Sequence, residues 1–166
     1  SDPLVREALV TALDRDEVGP VIAGGNATPS VSLVVRNPLL CVPDKPSWSL
    51  PETSIERAGQ LLDRAGWAVG ADGKRSKNGA PLTIKFIYDA ATATHAPAAE
   101  LVAQTWNKIG VTTKLSGNDA AAWSEQLYST FDWDTGWGQV APGGPPVLSL
   151  FFAGPTPDKG GLNFMF

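Results

Sequence analysis

A chain of 166 residues has room for one domain with a real core and is short for two. Its composition, 43% hydrophobic and 18% charged, is that of a folded soluble protein. A net charge of −4 and the lack of any basic run of five residues exclude a nucleic-acid backbone as partner, which would need a basic face. The longest apolar runs, residues 31–35 and 147–153, fall far short of the ~20 residues that span a bilayer as a helix.

The first helix opens at Asp2 as N-cap with Pro3 behind it, and Val5, Ala8, Leu9, Ala12 and Leu13 make its apolar stripe. It is expected to end at Asp14-Arg15-Asp16, with Gly19-Pro20 stopping any continuation. Residues 24–51 are rich in Gly, Pro and Ser and read as a long surface excursion, with a short strand at 31–36. Cys41 is the only cysteine, so no internal disulfide is possible. Pro38-Leu39-Leu40-Cys41 has the look of a lipobox but sits mid-chain behind Arg36, which leaves a buried or loop cysteine. Asn26-Ala27-Thr28 fits the glycosylation sequon, a pattern common by chance.

Thr53-Ser54-Ile55-Glu56 reads as a capping box. Ile55, Ala58, Leu61, Leu62 and Ala65 form the next apolar stripe, Gly66 the left-handed C-terminal residue, and Trp67 packs back on the core. Asp72-Gly73 and Asn78-Gly79 are turn dipeptides, and Lys74-Arg75-Ser76-Lys77 between them reads as a solvated turn.

Residues 82–88 then form a strand covered on both faces, 96–109 a helix with Ala98, Leu101, Val102, Trp106 and Ile109 inward, and 111–115 a second strand after Gly110. This βαβ unit over 82–115 implies parallel pairing and a right-handed crossover. A further helix, capped by Asn118 or Asp119, carries Trp123 and Leu127 and leads to a third strand at 131–135. A Gly- and Pro-rich stretch follows Trp137, with a short apolar helix at 147–152. The fold class is α/β.

Five segments in order now carry a resemblance. Val5-Arg6-Glu7-Ala8-Leu9 with Ala12-Leu13-Asp14-Arg15, Ala58 to Trp67, Asp72-Gly73-Lys74-Arg75 with Gly79-Ala80-Pro81-Leu82, Lys108-Ile109-Gly110-Val111, and Phe131-Asp132 with Gly136-Trp137 resemble motifs of the family 5 extracellular solute-binding proteins of ABC importers. The resemblance implies a type II periplasmic-binding-protein-like lobe, a mixed sheet with flanking helices, in which residues 1–166 form a single α/β fragment covering part of the second lobe of a larger two-lobed protein. It implies capture of a peptide or other small solute outside the cytoplasmic membrane, ABC permease subunits as partners, and membrane contact only through them or an anchor elsewhere. No cofactor, no resident metal and no catalysis are expected of this chain.

Trp137 follows a strand end and opens a loop, where α/β folds place ligands; it either stacks on solute or seals the core. The resemblance places it, with Gly138, Gln139 and Val140, at the cleft. Trp123 matches a helix aromatic of the cleft, with core packing as its other reading. Peptide-binding members carry, shortly after this Trp, an aspartate that pairs with the solute's α-ammonium. Here that position is Val140.

Catalytic readings are weak. Gly136-Trp137-Gly138-Gln139-Val140-Ala141 fits a dinucleotide fingerprint, but Pro142, Pro145 and Pro146 forbid the helix it must open. Asp132-x-Asp134-x-Gly136 lacks the remaining ligands of a calcium loop. An α/β hydrolase would rest on His95, the only histidine, which reads as solvated before a helix. A sensor or interaction lobe is the third class.

Overall fold

The computed structural model describes residues 2–25, 27, 50–137, 155, 156 and 159. The chain divides into two units, residues 1–35 with 43–137 and residues 36–42 with 138–166. In the second, Lys159 N–H donates to the Thr156 carbonyl at 2.9 Å. Everything below concerns the first. The excursion with its strand at 31–36, Cys41, the completed sequon and the helix at 147–152 lie outside the described residues.

Two aspartates start the first two helices in the same way. Asp2 accepts from Leu4 N at 2.9 Å and opens α1 (Pro3–Ala12); Asp14 accepts from Asp16 N and Glu17 N and opens α2 (Arg15–Ala23). The second helix corrects the expected stop at Gly19-Pro20, since Pro20 lies inside it. A proline crowds the Cβ of the residue before it, and Gly19 has none. The helix ends at Gly24, φ 68°.

The third helix, α3 (Ile55–Arg64), is capped by Ser54, whose Oγ accepts from Arg57 N at 3.1 Å. This moves the cap one residue beyond the expected box. Thr53 is not the cap because its hydroxyl donates instead to the Leu13 carbonyl at 2.8 Å, and Ser54 N–H donates to Thr11 O, so α3 is tied to the end of α1. Ala58, Leu61, Leu62 and Ala65 are buried as expected, whereas Ile55 is exposed. Trp67 packs against the core.

A small antiparallel sheet follows, β1 (Ala68–Val69), β2 (Arg75–Lys77) and β3 (Ala80–Pro81), in the order β1-β2-β3. Lys74-Arg75-Ser76-Lys77 is therefore mostly its middle strand and not a solvated turn. Arg75 is buried because acceptors distant in sequence converge on it. Its Nε donates to Ile109 O at 2.8 Å, Nη1 to Trp67 O and to an Asp63 carboxylate oxygen, each at 2.5 Å, and Nη2 to Gly59 O at 3.1 Å. Lys77 Nζ donates to Ala65 O at 2.7 Å.

The larger sheet is parallel, in the order β5-β4-β6: β4 (Thr83–Asp89) lies between β5 (Thr112–Asn118) and β6 (Thr135–Trp137). The expected βαβ unit is present, with α4 (His95–Lys108) joining β4 to its parallel neighbour β5. Antiparallel pairing among the described residues is confined to the small sheet. Ile84 and Phe86 of β4, Val102 and Trp106 of α4, Leu61 and Leu62 of α3, and Ala8 and Ala12 of α1 share one core. Trp106 reaches furthest: its ring lies 5.9 Å from that of Phe86, and its Nε1 donates to Leu9 O at 3.0 Å.

Within that core Thr11 is fully buried and its Oγ1 has no hydrogen-bond partner among the described residues. Removing an unsatisfied buried hydroxyl without changing shape relieves its desolvation cost. Thr11→Val is expected to stabilise by about 1 kcal/mol, seen as a higher urea midpoint at unchanged slope.

Candidate functional site

The order β5-β4-β6 means that the chain leaves β4 for one side of the sheet and then crosses back to the other. The carboxyl ends of β4 and β6 thus flank a topological switch point, where open α/β sheets bind ligands. The last row there to span all three strands is Gly117, Tyr88 and Trp137, taken from β5, β4 and β6. Trp137 is half-buried and meets Phe86 edge-on, centroids 5.6 Å apart at 86°. It seals part of the core and stands at the sheet edge at once.

The third strand lies later than expected, at residues 135–137 rather than 131–135. The helix α5 (Ala120–Glu125), capped by Asp119, runs on into a π-helical turn over Gln126–Thr130. Phe131, at φ 53°, then breaks the chain direction before an extended strand can start. Asp134 prolongs the short β4–β6 pairing: its carboxylate accepts from Lys85 N at 2.8 Å, and its own N–H donates to Lys85 O at 3.0 Å. Asp132 pairs with Lys85 Nζ, and this hydrogen bond and charge, helped by Asp134, raise the Lys85 pKa above the ordinary lysine value. The two aspartates hold the approach to β6, and among the described residues no cluster of acidic, His or Cys side chains could hold a metal.

Trp123 lies on α5 and meets Tyr128 of the π turn, centroids 6.5 Å apart at 89°. The structure therefore seats the two tryptophans in separate ring contacts. Gly138, Gln139 and Val140 lie outside the described residues. Sequence reasoning missed the polar link under the edge: Asn118 Nδ2 donates to Gln126 Oε1 at 2.6 Å, and Gln126 Nε2 donates to Asp132 O at 2.7 Å. It joins the end of β5 to the loop before β6, and only the fold reveals that proximity. His95 is the first residue of α4 rather than a solvated loop residue; it is half-buried, and its Nδ1 donates to Asp89 O at 3.0 Å. Among the described residues two surface hollows lie elsewhere, one beside Arg75 between Gln60 and Lys108, the other among Glu7, Pro51 and Arg57. No helix of the described residues is long and apolar enough to cross a membrane.

Against known proteins, the chain is 28% identical over 178 residues to the oligopeptide-binding protein AppA of Bacillus subtilis (strain 168), matching 99% of this chain and 30% of that protein. It thus spans under a third of that relative. The structure of AppA in complex with a nonapeptide superposes with a TM-score of 0.70 at 27% identity, over 80% of this chain and 27% of AppA. NikA from Brucella suis, in complex with Fe(III)-EDTA, gives 0.74 at 27% identity, over 90% of this chain and 30% of NikA. The profile of the bacterial extracellular solute-binding proteins, family 5 Middle, matches residues 1–159. The chain belongs to that family.

Proposed function

We propose that this chain is part of one lobe of a two-lobed extracytoplasmic protein that captures a peptide or similar small solute and delivers it to the permease subunits of an ABC importer. The observation that carries the reading is the family match over residues 1–159, and the one-third share of the relative's length supports a partial lobe. Trp137 at the switch point, Gly138, Gln139 and Val140 after it, and Trp123 are the residues assigned to the solute. The role is binding rather than catalysis: His95, the chain's one histidine, commits Nδ1 to a backbone carbonyl. That leaves no base oriented by a carboxylate, as a triad requires.

Val140 offers no carboxylate to an α-ammonium, and burying that cation unpaired is costly. Either the solute lacks a free amino terminus at this spot and stacks an apolar or ring-bearing group on Trp137, the reading we adopt, or a carboxylate from another part of the full-length protein pairs with it. In a thermal-shift panel on the full-length protein, N-acetylated oligopeptides or oligosaccharides are expected to stabilise at least as well as free peptides. Trp137→Ala is expected to weaken the best binder about tenfold or more, measured by calorimetry. Stabilisation by free peptides alone, abolished by acetylation, sinks the assignment from Val140; no stabilisation by any member sinks the solute reading.

A further inference from the structure

Gly117 and Gly136 flank β4 at its carboxyl end, and neither has a positive φ. The backbone therefore does not require glycine at either place; space does. At Gly136 a Cβ would lie 2.6 Å from the Ile87 carbonyl oxygen, so glycine there sets the spacing of two strands. Gly117 differs. A Cβ there would lie 2.7 Å from Cε2, Cζ and Oη of Tyr88, all atoms of one side chain. The outer half of the Tyr88 ring thus rests on the Gly117 backbone and leans towards β5. Since β5 and β6 lie on opposite sides of β4, that lean is away from Trp137.

We propose that Gly117 is a positioning residue that sets the size of group accepted beside Trp137, by giving Tyr88 a place to lie. With the ring drawn to the β5 side, Tyr88 does not lie across the end of β4 towards Trp137, and that side of Trp137 is where the proposal seats a planar or ring-bearing group of the solute. A methyl at position 117 denies the ring its seat, and it turns back across β4 towards Trp137. This rests on the reading of the sheet edge as the solute site, and it adds a determinant that touches the solute only through Tyr88.

The test uses the full-length protein carrying Gly117→Ala, Tyr88→Ala, both together, or Trp137→Ala. Calorimetry with acetyl-trialanine amide, acetyl-Ala-Trp-Ala amide and maltotriose reads the size of the accepted group. Gly117→Ala is expected to weaken the tryptophan peptide or the sugar about tenfold and trialanine less than about threefold. The double variant is expected to return within about threefold of wild type, because no ring is left to block the space. Fluorotyrosine labelling gives a second readout: the resonance lost in Tyr88→Phe is expected to shift in Gly117→Ala. If it stays in place, or if the double variant binds as weakly as Gly117→Ala alone, the proposal is overturned. If no probe binds wild type, or Trp137→Ala changes nothing, the reading of the edge as a solute site fails first, while the fluorine shift still decides where the ring lies.

Discussion

Replacing Arg75 with methionine is expected to destabilise the protein by about 3–5 kcal/mol, the largest loss of any single polar substitution in the described residues. Methionine keeps much of the stem volume, so the loss isolates the guanidinium. Three backbone carbonyls, of Gly59, Trp67 and Ile109, would lose a donor in a place where the arginine side chain is only 6% exposed. One of these acceptors, Ile109 O, is the C-cap of α4, where unpaired carbonyls gather and the helix dipole is negative, and Trp67 O lies just past the end of α3. The salt bridge to Asp63 contributes little, because that carboxylate is 61% exposed. Asp63→Asn is accordingly expected to cost under about 1 kcal/mol. Lysine at 75 is expected to recover only a minor part, since a single ammonium cannot reach carbonyls in three directions as the planar fork does. Urea unfolding of the three variants checks the ranking; a loss in Asp63→Asn equal to that in Arg75→Met would show that the ion pair, not the carbonyls, matters.

Gly110→Ala is expected to cost about 2–4 kcal/mol, for two separable reasons. Gly110 has φ 82°, and its N–H donates to Asn107 O while that of Val111 donates to Trp106 O. This is the left-handed closing turn of α4, where a side chain adds about 1 kcal/mol or more of strain. A Cβ there would also lie 2.9 Å from the Gly73 carbonyl oxygen and 2.8 Å from Arg75 Cγ. The first neighbour is backbone and cannot step aside cheaply. Gly66 makes the same turn at the end of α3, φ 82°, but there a Cβ would meet only the flexible Lys77 side chain, at 3.3 Å. Gly66→Ala should therefore lose only the strain, and the difference between the two variants measures the clash. Equal losses would refute the steric part. Because Gly110 touches Arg75, the Gly110→Ala and Arg75→Met losses are expected to be less than additive.

The parts of the fold that could be read from the sequence are those whose causes are local. The capping aspartate at 2 and the apolar stripe of α3, Ile55 apart, depend on residues within a few positions, and the βαβ unit follows from three such local patterns in a row; each is expected where it lies. Arg75 was misread because its burial depends on carbonyls contributed from 8 to 34 residues away, which no local pattern encodes. The third strand was misplaced because aromatics at 131 and 133 imitate strand alternation, while Phe131 takes a left-handed conformation instead. At the candidate site, Trp137 could be picked out as a strand end followed by glycine. The seat that Gly117 gives Tyr88 could not, since it requires the register of β4 against β5.

The attachment of α1 has a consequence for synthesis. Its carbonyls at Leu9, Thr11 and Leu13 are taken by Trp106, Ser54 and Thr53, and the first of these bonds spans 97 residues. A helix translated early must thus wait until Trp106 has left the ribosome, about 5–20 s at usual elongation rates. Throughout that interval Val5, Ala8 and Ala12 have only α3 to pack on, without the β4 and α4 part of their core, and a helix of ten residues is marginal by itself. The segment made first in this unit is therefore among the last to settle, and a nascent chain halted before residue 106 should show it open to protease.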